Sequence, residues 1–196
     1  DAFIGDGSQD RSIDVAALTV SASHNSVFNT KLDALSVGLL LGLSRANTFN
    51  EVSSSSSVSI GSSRILADAI DLDAATTTVK DWQSGAAFWN IAAGGGGFAD
   101  VARATSETVI LGNAFIDLSG ASIEQTGGGA SGLFAMDALN TVVARDRVNM
   151  DSLGGVSVPE ASSNVSASTT STVRIGNGTI LTSLGDLNVG ARNDTE

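Results

Sequence analysis

Apolar and polar residues alternate along most of this chain. Ile13-Asp14-Val15 and Leu18-Thr19-Val20-Ser21-Ala22 repeat with a period of two, the pattern of strands that bury one face. Four apolar-rich runs end on a glycine: Phe3-Ile4-Gly5, Val58-Ser59-Ile60-Gly61, Val109-Ile110-Leu111-Gly112 and Val173-Arg174-Ile175-Gly176. Aligned on Gly5, Gly61, Gly112 and Gly176, the copies recur at long, uneven intervals of roughly 50–65 residues. From Ile60, Leu111 and Ile175 the next apolar residues in the alignment, Ile65, Ile116 and Ile180, follow five positions on.

Short strands broken by Gly, Asn or Asp corners predict a repeating all-β array. Glycine supplies the positive φ that sharp corners need, and Asn tolerates it. Stacked coils pair their strands about 4.8 Å apart and fill the interior with Ile, Val, Leu and Ala. No coil buries its apolar face without neighbours. The expected fold is a parallel β-helix (β-solenoid) with short coils and a few loop insertions, running as a single array over 1–196. The long interval between copies reads as two or three coils per copy. At ~20 residues per coil the chain holds about nine or ten and stands roughly 45 Å tall. The rival fold is a β-sandwich, whose hairpins are signalled by pairs such as Asn177-Gly178.

Two stretches read either as helix or as strands. Asp33 to Leu43 is rich in Leu and Ala but interrupted by Gly38 and Gly42, which favours strands and tight turns. Leu133 to Val148 is equally ambiguous. Residues 76–97 break the pattern and are expected to form an insertion or a wide coil. Neither terminal copy carries a capping helix, so the strand edges there are expected to be covered by flanking repeats or by identical copies stacked end to end.

Composition narrows the function. With 42% hydrophobic residues and 16% charged, the chain is too apolar to stay disordered. Its net charge of −11, with ten Lys and Arg scattered along it, excludes a nucleic-acid footprint. The absence of cysteine removes disulfides, zinc-thiolate sites and thiol nucleophiles. Val37 to Leu43, the most apolar run, is far below the ~20 residues of a membrane-spanning helix.

Few residues carry candidate chemistry. His24 is the single histidine, so neither a histidine pair nor a multi-histidine metal site exists within one chain. Asp68, Asp71 and Asp73 are weak calcium candidates, because hard cations want several oxygens. Asp71 and Asp73 share one strand face. Asp71 with Asp73, or Asp100 with a carboxylate of the next coil, are the paired carboxylates a polysaccharide-cleaving β-helix would use. Trp82, Phe88 and Trp89 form an aromatic cluster suited to weak contact with sugars or proteins. The Ser53–Ser57 run supplies hydroxyls for a sugar- or ice-binding face. Gly94–Gly97 lacks the Gly-Lys-Ser/Thr ending of a phosphate loop. No catalytic residue and no cofactor other than calcium is expected.

The last copy, Val-x-Ile-Gly-x-Gly through Gly-Asp-Leu-x-Val-x-Ala, resembles repeats of giant secreted bacterial filamentous-haemagglutinin-like adhesins, particularly the leukotoxin-type filamentous adhesins. The connectors Ser36-Val37-Gly38-Leu39-Leu40-Leu41-Gly42 and Ala92-Ala93-Gly94-Gly95-Gly96-Gly97 are similar to theirs. The resemblance spans most of the chain as degenerate repeats. It implies a right-handed β-helix, export to the cell exterior, and a structural role in adhesion, filament or biofilm building against a carbohydrate or cell surface. The segment holding Trp82 and Trp89 departs from the pattern.

Overall fold

The computed structural model describes residues 1–5, 11–80, 91–127 and 132–196, and every regular element among them is a strand. In chain order these are β1 (Ala2–Ile4), β2 (Arg11–Phe28), β3 (Leu32–Val37), β4 (Leu41–Ile60), β5 (Ser63–Lys80), β6 (Ile91–Gly96), β7 (Ala99–Leu118) and β8 (Ser122–Gln125). They continue with β9 (Phe134–Ala144), β10 (Val148–Ser152), β11 (Val156–Ser157), β12 (Glu160–Ile175), β13 (Ile180–Thr182) and β14 (Leu187–Thr195). The two ambiguous stretches are thus strands and turns, as glycine in the first of them disfavours a helix.

Three sheets result, and all their pairings are parallel. The first holds β1, β4, β7, β11 and β12; the second β2, β5, β8, β9, β13 and β14; the third β3, β6 and β10. The chain passes through first, second and third sheet in turn and then begins again. Asn177-Gly178 makes no hairpin: it joins β12, which pairs with β7, to β13, which pairs with β8. Gly120 and Gly178 sit at positive φ, +70° and +77°, at successive passes of this corner.

Register corrects the expected coil length. Ile13 pairs with Ile65, Val58 with Ile116 and Ile70 with Phe134. Each strand thus meets its partner only after the whole long interval between copies. Strands of successive ~20-residue coils do not pair, and an array of nine or ten such coils is not what the register builds. The long interval is itself the return distance. One glycine alignment is corrected too. Gly5 and Gly61 follow the paired Ile4 and Ile60, and Gly176 follows Ile175, which pairs with Leu118. The equivalent residue is Ser119, not Gly112. Gly112 lies inside β7, where a Cβ would meet Asn140 Oδ1 at 3.0 Å.

Rows of apolar side chains run across the strands: Ala2–Val58–Ile116–Val173, Ile13–Ile65–Ile123–Leu181, and Val20–Leu72–Met136–Val189. Their central members are fully buried in the main core. Burying one such side chain is worth about 1.5–3 kcal/mol. A smaller core of Ala46, Ile91, Ala93, Ala102 and Ala104 lies where the first halves of β4 and β7 meet the third sheet. Between the two cores the interior is polar, with Ser54, Ser56, Thr76, Thr78, Lys80, Ser106, Thr108 and Asn140 all buried.

The expected insertion over 76–97 is also redrawn. Thr76–Lys80 complete β5 in register with β9, and Ile91–Gly96 form β6 between β3 and β10. Only 81–90 lies outside the described residues.

Candidate functional site

Alternation along β5 turns Asp71 and Asp73 outward while Ile70, Leu72 and Ala74 point into the core. Parallel pairing sets Asp73 beside Asp137 of β9, with Ser21 on one side and Gly190 on the other. Gly190 makes room for the acid: a Cβ there would stand 2.1 Å from Asp137 Oδ1. The outcome is a cleft of about 650 Å³ lined by Asp73, Asp137, Leu139, Val189, Gly190 and Arg192. Burial, then the neighbouring charges of Asp71 and Asp137, hold the Asp73 carboxyl above its ordinary value. Two carboxyls side by side, one of them made harder to ionise than usual, are the raw material of an acid–base pair.

Asp68 does not join this group. It lies within β5 where the alternation breaks before Ile70, and Thr126 Oγ1 donates to its Oδ1 at 2.8 Å. Among the described residues no three of His, Cys, Asp and Glu gather as a metal-holding group, so the trio Asp68, Asp71 and Asp73 is not assembled. His24 is exposed on β2. Trp82, Phe88 and Trp89 lie outside the described residues.

The serine run is divided by strand alternation. Ser54 and Ser56 point inward, Ser54 Oγ sharing a hydrogen bond with Thr78 Oγ1 at 3.0 Å and Ser56 Oγ donating to Ala75 O at 2.7 Å. Ser53, Ser55 and Ser57 stand beside Leu111, Asn113 and Phe115, which do not continue a hydroxyl row. The glycines of β6 serve packing: Leu35 Cδ1 lies 3.2 Å from where a Gly94 Cβ would be.

Several features were not foreseen from the sequence. Lys80 is wholly buried, its Nζ 3.1 Å from Asp146 Oδ2 and donating to Thr108 Oγ1 at 2.7 Å. A lysine closing an alternating run carries no signal that it turns inward. Asp137 and Arg192 join Asp73 only through a register that residues 126–133 lengthen. An exposed apolar ridge covers the passage from the third sheet to the first: Leu35, Val37, Leu39, Leu40, Leu41 and Leu43, with Phe98 and Val101 on the next pass. Contiguous exposed apolar surface of this kind marks contact sites.

Comparisons with protein-family models, curated proteins and solved structures find no match to this chain. No helix of the described residues is long and apolar enough to cross a membrane.

Proposed function

We propose that the chain is a structural and adhesive β-solenoid module of a secreted surface fibre, of the filamentous-haemagglutinin-like kind its repeats resemble. The observation that carries this reading is the parallel return of the chain to the same three sheets in the same order. At roughly 57 residues per return and 4.8 Å per strand, the 196 residues form about three and a half rungs, roughly 17 Å high. Right-handedness is the expectation for parallel crossovers.

The last rung supports assembly. Leu187 and Val189 are 42% and 51% exposed, whereas their partners Phe134 and Met136 are fully buried. The two open faces carry the same order of side chains, Leu18-Val20-Ala22 on one and Leu187-Val189-Ala191 on the other. Further rungs, flanking or from identical copies, extend these rows as the inner rungs extend one another. The apolar ridge from Leu35 to Leu43 is the face best suited to hold a neighbouring cell or polymer surface.

The test is assembly of the isolated chain. Light scattering and electron microscopy should show concentration-dependent end-to-end growth, suppressed by Val189→Lys. A monodisperse monomer at high concentration overturns the stacking.

The Asp73–Asp137 cleft favours one second reading, a polysaccharide-processing β-helix with Asp73 as acid and Asp137 as base. Cleavage of acidic polysaccharides that is lost in both Asp73→Asn and Asp137→Asn would establish it; no cleavage in the native protein removes it. A sugar- or ice-binding face remains the weaker alternative, since the outward serines lack a continuous hydroxyl row.

A further inference from the structure

Asn177-Gly178 is the one Asn-Gly pair in the sequence. It forms the corner between β12 and β13, where Asn177 is exposed. Thr179 N donates to Gly176 O at 3.3 Å and closes a turn in which Gly178 stands at φ +77°, the position of a type II turn that asks for glycine. Among the described residues neither the Asn177 carboxamide nor the Gly178 N–H makes a hydrogen bond. A Cβ on Gly178 would meet only Gly120 Cα, at 3.6 Å, so the peptide between the two residues is uncrowded.

Other passes and other asparagines differ. At the preceding pass of this corner Ser119 precedes the positive-φ Gly120, and a hydroxyl offers no electrophilic carbon. Asn140 is buried, its Nδ2 donates to Thr170 O and Ser171 Oγ, and Thr141 follows it. Asn188 is exposed but followed by the branched Val189, whose side chain hinders attack by its own nitrogen.

We propose that Asn177 is a site of spontaneous covalent modification, converting to isoaspartate through a succinimide without an enzyme. The Gly178 nitrogen loses its proton and attacks Asn177 Cγ. The N–Cγ bond forms, the Cγ–Nδ2 bond breaks, and ammonia leaves with the proton. Water then opens the ring: cleavage at the α-carbonyl gives isoaspartate, cleavage at Cγ gives aspartate. One water is consumed and one ammonia released, with no oxidant or reductant. The attack requires the Asn177–Gly178 peptide to rotate. That parts the 3.2 Å bond from Gly120 N to Asn177 O and the 3.3 Å bond closing the turn, and Gly176 and Gly178 on either side permit the rotation. In isoaspartate the Asn177 carbonyl leaves the main chain as a free carboxylate and one further carbon enters it. The product adds a negative charge to a chain of net −11 and lengthens the corner that sets β13 on β8.

The test is incubation of the whole protein at neutral and mildly alkaline pH, followed by peptide mapping of the tryptic fragment Ile175–Arg192 and labelling by an isoaspartyl methyltransferase. Isoaspartate should accumulate at Asn177 and not at Asn188 of the same fragment, faster as pH rises because the attacking amide must lose its proton. Its rate should lie within about a hundredfold of that in the free peptide Ile175–Gly185, the slowing that two neutral hydrogen bonds impose. Asn177→Ser, which copies the Ser119 corner, should remove the product. The proposal is overturned by an Asn177 that stays intact while the free peptide converts, by conversion at Asn188 as fast as at Asn177, or by methyltransferase labelling that persists in Asn177→Ser.

Discussion

Replacing Lys80 tests how the polar interior is held. Its ammonium is fully buried, 3.1 Å from Asp146 Oδ2, and the Asp146 side chain is only 3% exposed. Ser163 Oγ donates to the same carboxylate oxygen at 2.8 Å, and Thr108 Oγ1 accepts from the lysine. In Lys80→Met the aliphatic stem is retained and the charge removed, so Asp146 is left as an uncompensated buried anion. Breaking a buried pair from one side costs about 3–5 kcal/mol, a large share of the roughly 5–15 kcal/mol typical of a folded domain. At ~2–4 °C per kcal/mol for a chain of this size, unfolding should fall by about 6–20 °C. Removing both charges in Lys80→Met/Asp146→Asn leaves no unpaired ion and retains the Ser163 contact, so it should recover about 2 kcal/mol or more of the loss. Urea unfolding of the parent, both single variants and the double variant measures the coupling. A Lys80→Met variant within about 0.5 kcal/mol of the parent, the range of ordinary surface changes, would refute the buried pair. A double variant no more stable than Lys80→Met would do the same.

Ile116→Ala empties the middle of the Ala2–Val58–Ile116–Val173 row and should cost about 2–5 kcal/mol in urea unfolding; a loss below about 1 kcal/mol contradicts its burial there. Gly112→Ala should destabilise by about 1–3 kcal/mol, because its methyl crowds Asn140 Oδ1. If Gly112 instead lay in a loose turn at negative φ, the same change would stabilise by about 0.4–1 kcal/mol, so the sign alone decides. Asp73→Asn should be more stable than the parent at neutral pH. The folded state binds the Asp73 proton more tightly than the unfolded state, because its carboxyl is raised by burial, Asp71 and Asp137. The stability tied to the neutral form is therefore complete below the unfolded carboxyl range and lost as pH rises through the raised folded value. Thermal unfolding of the two proteins should converge on acidification, and a gap independent of pH refutes the assignment.

Gly112 shows what the sequence could and could not reveal. The return distance was visible as repeating glycines, and the alternation identified the strands. Choosing Val109-Ile110-Leu111-Gly112 over Asp117-Leu118-Ser119 displaced one copy by seven positions. Counted through Ser119, the three intervals from Gly5 to Gly176 are nearly equal; counted through Gly112, they are not. Both runs are alternating segments of the same strand, and only the first ends on glycine. A slide of seven is odd, so it exchanges the two faces. Leu111 is 38% exposed while Ile110 and Gly112 face inward, opposite to what the displaced alignment requires. The cleft was legible only by half. Asp71 and Asp73 share a face by spacing alone, but Asp137 reaches Asp73 after a return lengthened at 126–133, and spacing does not reveal an insertion of that kind.

The buried polar belt answers a problem that the apolar rows leave open. The long strands β4, β5 and β7 alternate and so retain their inward faces after a slide of two. Apolar burial therefore discriminates weakly between registers two positions apart. The belt discriminates strongly. Asn140 accepts from Thr76 Oγ1 of β5, and its Nδ2 donates to Thr170 O at 2.6 Å and Ser171 Oγ at 2.9 Å on β12. Nδ2 also reaches Asn193 Oδ1 on β14 at 3.2 Å. Ser54 meets Thr78, and Lys80 meets Thr108 and Asp146. A two-residue slide of either facing sheet parts the pairs that cross between the sheets, Asn140 with Thr170 and Ser171, Ser54 with Thr78 and Lys80 with Thr108, at about 1–3 kcal/mol for each neutral group left buried and unmatched and more for the ion. Gly112, without a side chain opposite Asn140, is the matching space on the facing wall. The apolar rows thus supply cohesion from one rung to the next, and the polar belt fixes which rung position each strand takes.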